Sequence, residues 1–342
     1  MDNVINKKSR IEYLFHLSIL FLFLTFFQGI SFSQNKFPSN PLYNEIDAYQ
    51  GVFEYCLSGG QERIAIRSFR QNGVEYRITV DPKTLDTRIE PFASLRCDAD
   101  PKRVEALLAG TPYRRAMDVE RTNEDLMQNA GLIRSLVPVN GYFLTADLCP
   151  SSKPGFNQEL FDKLEHATQV HGKGALPVAL SLSGSWLQKH AESFEWLNKQ
   201  VAEGRLQITW INHTNHHPYD SHLDISHNFM RESNLDVLSE ILDVEKLLIA
   251  RGIAPSVFFR FPGLVSSPEL IEQLERLHLI TLGSNAWLAK NQQPKLGSVI
   301  LIHANLNEPL GVKLMLEWVA EQKPGSITFL PLSNLVRTTH TP

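Results

Sequence analysis

From Gly141 onward the chain alternates short apolar runs with longer stretches of helical period, the pattern of β/α units built on a parallel sheet. The expected strands are Tyr142–Thr145, Val178–Leu182, Gln207–Ile211, Val257–Phe259, Leu279–Leu282, Val299–Ile302 and Thr328–Leu330. Between them the period predicts helices over Gln158–His171, Phe194–Glu203, Asn234–Arg251, Pro268–Leu277 and Leu310–Gln322. About seven strands in this order predict an α/β fold, a deformed (β/α) barrel with one unit missing or distorted.

The sequence ahead of the barrel has a different character. Between Tyr49 and Arg96 two strand-like pieces, Ile64–Phe69 and Val74–Val80, flank Gln71-Asn72-Gly73, a hairpin-turn composition. With a helix or two between Pro101 and Gln128, this predicts a small β-rich α+β module over residues 34–130, followed by the barrel over 131–342. No chemistry-bearing cluster stands out in the module.

Residues 1–33 read as a secretory signal peptide. Lys7, Lys8 and Arg10 precede the apolar run Leu14 to Phe27, and Ser31 and Ser33 supply the small residues before a cleavage near Ser33-Gln34. The expected product is exported, to the periplasm, the cell envelope or the medium; an uncleaved leader would instead anchor the chain in a membrane. A formal net charge of −4 gives no reason to expect a nucleic-acid partner. Three cysteines are too few for a disulfide-built scaffold, but in an exported chain Cys56 and Cys97 are the natural pair, which leaves Cys149 over.

In β/α barrels the active site is assembled at the C-terminal ends of several strands. At those ends this sequence places Asp147, then Ser183 and Gly184, then His213 and His217, then Arg260, then Ser284 and Asn285, then His303. Each has a bland explanation alone, as a cap, a surface ion pair or a satisfied core histidine; their joint placement points to a site. His213 and His217 stand four apart, so a helical turn after the strand would face both rings toward one ion. On the same turn His216 would point away, and His222 and His227 read as solvated. Trp186, Trp210 and Trp287 lie near strand ends, where an aromatic face suits the apolar side of a sugar ring, although Trp210 sits within a strand pattern and suits the core equally well.

Five short motifs in this order resemble the NodB-homology polysaccharide deacetylases, metal-dependent carbohydrate esterases. Thr145-Ala146-Asp147-Leu148-Cys149-Pro150 looks like that family's T-F-D-D-G-P, and His213 to Pro218 matches its H-[ST]-x-x-H-[SP]. Arg260-Phe261-Pro262-Gly263 is similar to its R-x-P-x segment, Ser284-Asn285-Ala286-Trp287 faintly echoes D-x-x-D-W, and Leu301-Ile302-His303 matches its late L-x-H. The resemblance covers about Gly141 to Val336.

It implies a hydrolase removing acetyl groups from an N- or O-acetylated glycan. His213, His217 and Asp147 would hold a divalent metal, zinc first among them. Asp147 would act as general base on water activated by the metal, His303 as general acid, and Arg260 would orient Asp147. Trp186, Trp287 and Pro262 are the expected substrate contacts. A catalytically silent glycan-binding relative, or a metal-dependent hydrolase of another amide or ester, would share the cleft. The pattern breaks at Leu148, where the family has a liganding aspartate, so either Asp147 or another group such as Asp220 or His216 completes the metal site, or the ion is held weakly or not at all. Cys149 is a soft donor at the same place, although nothing else in the motif calls for it. Asn285 stands where an acid is expected, which leaves His303 without an evident charged partner.

Overall fold

The computed structural model describes residues 46–119, 127–151, 156–168 and 174–337. The predicted leader, residues 1–33, lies outside the described residues, and no helix among those described is long and apolar enough to cross a membrane.

The first five strands are β1 (Ile46–Ser58), β2 (Gln61–Gln71), β3 (Val74–Val80), β4 (Thr87–Pro91) and β5 (Leu95–Asp98). They form one antiparallel sheet in the order β4-β3-β2-β1-β5. The hairpin expected at Gln71-Asn72-Gly73 joins β2 to β3, and Asn72 and Gly73 take the positive φ angles, 53° and 75°, that such a turn demands. Two short helices follow, α1 (Pro101–Leu108) and α2 (Pro112–Asp118), each with Pro in the first turn and a side-chain cap, from Asp100 and Thr111 respectively.

Cys56 and Cys97 face each other across β1 and β5 and are joined in a disulfide, while Cys149 is free and buried. The bridge closes a separation of 41 residues, for which chain entropy predicts a contribution of about 4 kcal/mol. Replacing both cysteines by Ala is expected to lower stability by roughly 2–4 kcal/mol. Urea unfolding of the oxidised parent and the double variant checks this; equal midpoints would contradict it.

The second sheet is parallel and contains β6 (Phe143–Leu148), β7 (Leu176–Leu182), β8 (Leu206–Asn212), β9 (Phe258–Phe259), β10 (Ile280–Thr281), β11 (Ala286–Trp287) and β12 (Val299–His303). Its order is β10-β9-β8-β7-β6-β12-β11. The two edge strands β10 and β11 are consecutive in the chain, with only residues 282–285 between them. Five extended residue steps reach about 18 Å. Seven flat strands would set the edges about 29 Å apart. The sheet therefore curls until its edges nearly meet, and the gap is bridged by Leu132 pairing with Leu282 and Arg134 with Ser298.

The deformed barrel read from the sequence is thus present, with a different seventh strand. Thr328–Leu330 makes a single bridge, Phe329 to Tyr142, and is not a strand of the sheet. Its place is taken by Ala286–Trp287, two residues and too short to carry a readable period. The helices are α3 (Gln158–Thr168), α4 (Gly184–Lys189), α5 (Ala191–Ala202), α6 (Val237–Ile249), α7 (Pro268–Arg276) and α8 (Pro309–Ala320); α4 was not expected.

Alternation along the strands divides two cores. Leu144, Ala146 and Leu148 of β6 point outward into the layer between sheet and helices, with Leu180, Leu182, Trp186 and Phe194. Phe143, at the start of β6, shares a second cluster with Phe258, Ile280 and Val299, which open β9, β10 and β12, and with Ile64, Ile66, Phe69, Ile78 and Val80 of the antiparallel sheet. The antiparallel sheet therefore packs at the N-terminal ends of the barrel strands. A buried fork fixes it there: Arg67 donates from Nε and Nη2 to both carboxylate oxygens of Glu245 on α6, at 2.7 and 2.9 Å, and Tyr49 donates to the same carboxylate at 2.6 Å.

His278, just beyond α7, stacks on Phe53 of β1 with ring centroids 3.6 Å apart. Burial, and then the Arg67 charge, push its pKa from 6.5 down to about 4. Between those values the unfolded chain binds a proton that the folded protein refuses, so stability falls as pH drops through that window, by up to roughly 3 kcal/mol. His278→Gln is expected to remove this slope, and denaturant unfolding at pH 7 and pH 4.5 on both proteins measures it. An unchanged slope in the variant would assign the acid sensitivity to other groups.

Candidate active site

At the opposite end of the barrel the polar residues converge. Asp147 and His303 sit side by side in register on β6 and β12, each inside its strand, because both strands run further than their apolar cores suggested. Arg260 follows β9 and is fully buried. Its Nη1 donates to Asp147 Oδ1 at 2.7 Å and to Thr145 Oγ1 at 2.8 Å, while Nη2 donates to the Gly283 carbonyl at 3.1 Å. Burial alone would raise the Asp147 pKa, but the charges of Arg260, His213 and His303 outweigh it and hold the carboxyl down to about 2. Asp147 is therefore a carboxylate whose orientation is fixed by the guanidinium.

The histidine segment does not turn helically. It is a loop in which Thr214 and His217 adopt positive φ, 68° and 53°, a conformation that costs an L residue about 1–2 kcal/mol. Buried groups enforce it. Asn212 Oδ1 accepts from Thr214 N at 3.0 Å and its Nδ2 donates to the Ile241 carbonyl at 2.7 Å. Glu240, buried in the first turn of α6, accepts from the backbone and the ring of His216, at 2.9 and 2.5 Å. A Cβ on Gly184 would fall onto the Asn215 side chain, so the start of α4 must be glycine for this loop to seat.

The loop brings the His213 and His217 rings to 4.8 Å between centroids. His213 Nδ1 lies 2.8 Å from the Arg260 carbonyl, which can only accept, so Nδ1 carries a hydrogen and Nε2 faces the interior. There Nε2 meets Cys149 Sγ at 3.6 Å and Asp147 Oδ2 at 3.7 Å. Among the described residues, Cys149, His213 and His217 place one donor atom each within 4.8 Å of one another. Asp147, expected at that point, lies beside this trio. The second such group, Glu54 with Cys56 and Cys97, is accounted for by the disulfide.

The donor set fits a divalent metal. Among the described residues His217 Nε2 is buried without a hydrogen-bond partner, and His213 Nε2 aims into a space shared with a thiol and a carboxylate. Unpaired buried polar atoms are costly, and a cation satisfies them. Burial would raise the Cys149 thiol, but the surrounding histidines hold it well below its usual range.

His303 has the charged partner that seemed missing. Its Nδ1 lies 2.9 Å from Glu308 Oε2, which also accepts from the Trp287 indole at 3.0 Å. Burial alone would lower the His303 pKa, but hydrogen bonds to Cys149 and Glu308, with the charges of Cys149 and Asp147, push it up to about 11. Asn285 has a structural use instead, accepting from Val299 N at 3.2 Å. Glu308 stands five residues past His303 at the mouth of α8, outside any motif, so no periodic signal pointed to it.

The residues line a cleft of about 660 Å³ whose wall includes Asp147, Cys149, His213, His217, Trp287 and His303. Trp287 is the expected aromatic wall. Trp186 is not: it is fully buried among the outer-core residues, because α4 turns it toward Phe156 with ring centroids 6.1 Å apart. Trp210 is also core. Pro262 is buried beneath the surface, and its neighbours Gly263 and Leu264 reach the cleft in its stead. The aromatic residues not anticipated are Tyr219 and Phe229, stacked 5.2 Å apart at the rim, with Tyr219 65% exposed. Asp220 is exposed and pairs with His222, and His216 is exposed on its Glu240 partner.

A family model described as the RP012 protein N-terminal domain matches residues 47–107, within the antiparallel module. Among solved structures the chain is similar to a family 4 carbohydrate esterase from Bacillus anthracis, 18% identical over 67% of this chain and 93% of that one, with a TM-score of 0.43. It is also similar to a family 4 carbohydrate esterase from Bacillus subtilis, 14% identical over 76% of this chain and 94% of that one, with a TM-score of 0.41. A family 4 pseudoenzyme from Bacillus anthracis is 13% identical over 60% of this chain and 68% of that one, with a TM-score of 0.39.

Proposed function

We propose that this protein is an exported, metal-dependent hydrolase that removes acetyl groups from an N- or O-acetylated glycan. The observation that carries the reading is the placing of two oriented proton carriers side by side in one cleft, Asp147 held by Arg260 and His303 held by Glu308, with His213 and His217 lining the same cleft. The disulfide suits an oxidising compartment.

A zinc ion at the histidines would lower the pKa of water and polarise an acetyl carbonyl. The protein groups then divide the proton traffic. Asp147, ionised and fixed by Arg260, takes the proton from attacking water. His303, charged and steered by Glu308, gives a proton through Nε2 to the departing amine or alcohol. Trp287 offers a ring face to the sugar at the cleft wall. Arg260 keeps Asp147 aimed without touching the substrate, since it is wholly buried.

The test is acetate release by the purified protein, supplied with zinc, from a panel of N- and O-acetylated oligosaccharides set against simple acetyl esters and acetylated peptides. Release confined to the sugars is the expected result. Turnover of the peptides or simple esters alone would redirect the reading to another hydrolase. Stoichiometric zinc with no release from any member would make the cleft a binding site.

A further inference from the structure

We infer that Cys149 is the third protein ligand of the metal site, as a thiolate beside His213 and His217, and that Asp147 stays off the ion. This rests on the proposed metal-dependent reading and specifies its donor set.

Strand parity gives the first argument. Leu148 replaces the expected aspartate, and its side chain is fully buried in the outer core, so that position faces away from the histidines. Cys149 is two residues beyond Asp147 and returns to the inner face. Its backbone is pinned: Asn305 Nδ2 donates to the Cys149 carbonyl at 2.8 Å, and Asn307 Nδ2 to the Pro150 carbonyl at 3.0 Å.

Distance gives the second. In tetrahedral zinc with Zn–S about 2.3 Å and Zn–N about 2.0–2.1 Å, sulfur and nitrogen ligands stand about 3.6 Å apart. Cys149 Sγ and His213 Nε2 are 3.6 Å apart. The third donor, on His217, lies within 4.8 Å of both, and among the described residues its Nε2 has no hydrogen-bond partner.

Charge gives the third. Asp147 already has a full counter-charge in Arg260 at 2.7 Å, so ligation would have to compete with that pair. Among the described residues no Lys or Arg is paired with the Cys149 sulfur; its polar neighbours are histidines, His303 included, so a cation can sit at the sulfur without displacing a guanidinium. One thiolate with two imidazoles is a soft set that favours zinc or cobalt over magnesium or calcium. It also leaves Asp147 free to serve as base, which a liganded carboxylate does poorly.

The experiment is cobalt titration of the metal-stripped full-length protein, read by absorption. The expected result is one cobalt per chain with a sulfur-to-cobalt charge-transfer band in the near ultraviolet. The band should vanish and affinity fall at least tenfold in Cys149→Ser, whereas Asp147→Asn should keep both band and stoichiometry. A wild-type complex without the band, no cobalt binding, or a Cys149→Ser complex with wild-type affinity and spectrum would overturn the inference. Alkylation of the wild-type thiol by iodoacetamide needs no variant to fold: zinc should protect Cys149, and equal rates with and without zinc would also overturn it. Acetate release separates the two readings. A thiolate band without turnover keeps the ligand and removes the deacetylase, and zinc-dependent turnover without the band does the reverse.

Discussion

Asp147→Asn is expected to abolish turnover by roughly a thousandfold, the middle of the range a positioned proton carrier supplies. The amide keeps the shape but cannot accept a proton, and it leaves the buried Arg260 charge without its partner. Losing one partner of a buried pair costs about 3–5 kcal/mol. The variant must therefore be shown folded at the assay temperature by circular dichroism. His303→Ala gives the second limb with less risk to the fold, since its side chain is 15% exposed at the cleft wall. It should lose roughly a hundredfold or more. Acetate release by His303→Ala at the parental rate across pH 5–9 would remove the general-acid role.

His213→Ala and His217→Ala should each strip the metal. Outer partners of metal ligands alone cost 10–100-fold in affinity when lost, so removing a ligand should cost at least about a hundredfold. His213 is the more informative position. Its Nδ1 hydrogen bond to the Arg260 carbonyl couples the metal site to the residue that aims Asp147, so His213→Ala should impair both. His217 sits on the loop with only its ring committed, and its loss should leave the Asp147–Arg260 geometry intact. Zinc measured by elemental analysis after gel filtration decides the matter; parental zinc content in both variants would refute the assignment.

The barrel was legible because its longer strands, such as Phe143–Leu148 and Leu176–Leu182, are short, mostly apolar and almost wholly buried runs that alternate with stretches of helical period. The strand ends followed directly, and with them Asp147, His213, Arg260 and His303. Three features were hidden for physical reasons. Two-residue strands such as Ala286–Trp287 carry no period, so closure of the sheet is visible only from topology. Trp186 lies at a strand end in the sequence, but a one-and-a-half-turn helix capped by Ser183 rotates it into the outer core. Glu308 reaches His303 through a turn of five residues whose shape no propensity encodes.

Cys149 was half visible. Counting by two from Asp147 puts it on the inner face and Leu148 on the outer one, a deduction available once the strand is known to run through Leu148. Nothing in the sequence foretold that the His213–His217 loop would adopt left-handed φ at Thr214 and His217 and fold its rings over that sulfur. Contacts such as Arg67 with Glu245, far apart in the chain, were equally out of reach.

The central claim is that a metal held at the histidines drives acetyl removal in this cleft. Its most direct test is zinc titration of the metal-stripped protein with acetate release from an acetylated oligosaccharide followed at each step. The account predicts no release without metal, a linear rise, and a plateau at one zinc per chain. Release that is equal with and without zinc, or absent at every zinc concentration while one ion binds, would contradict it.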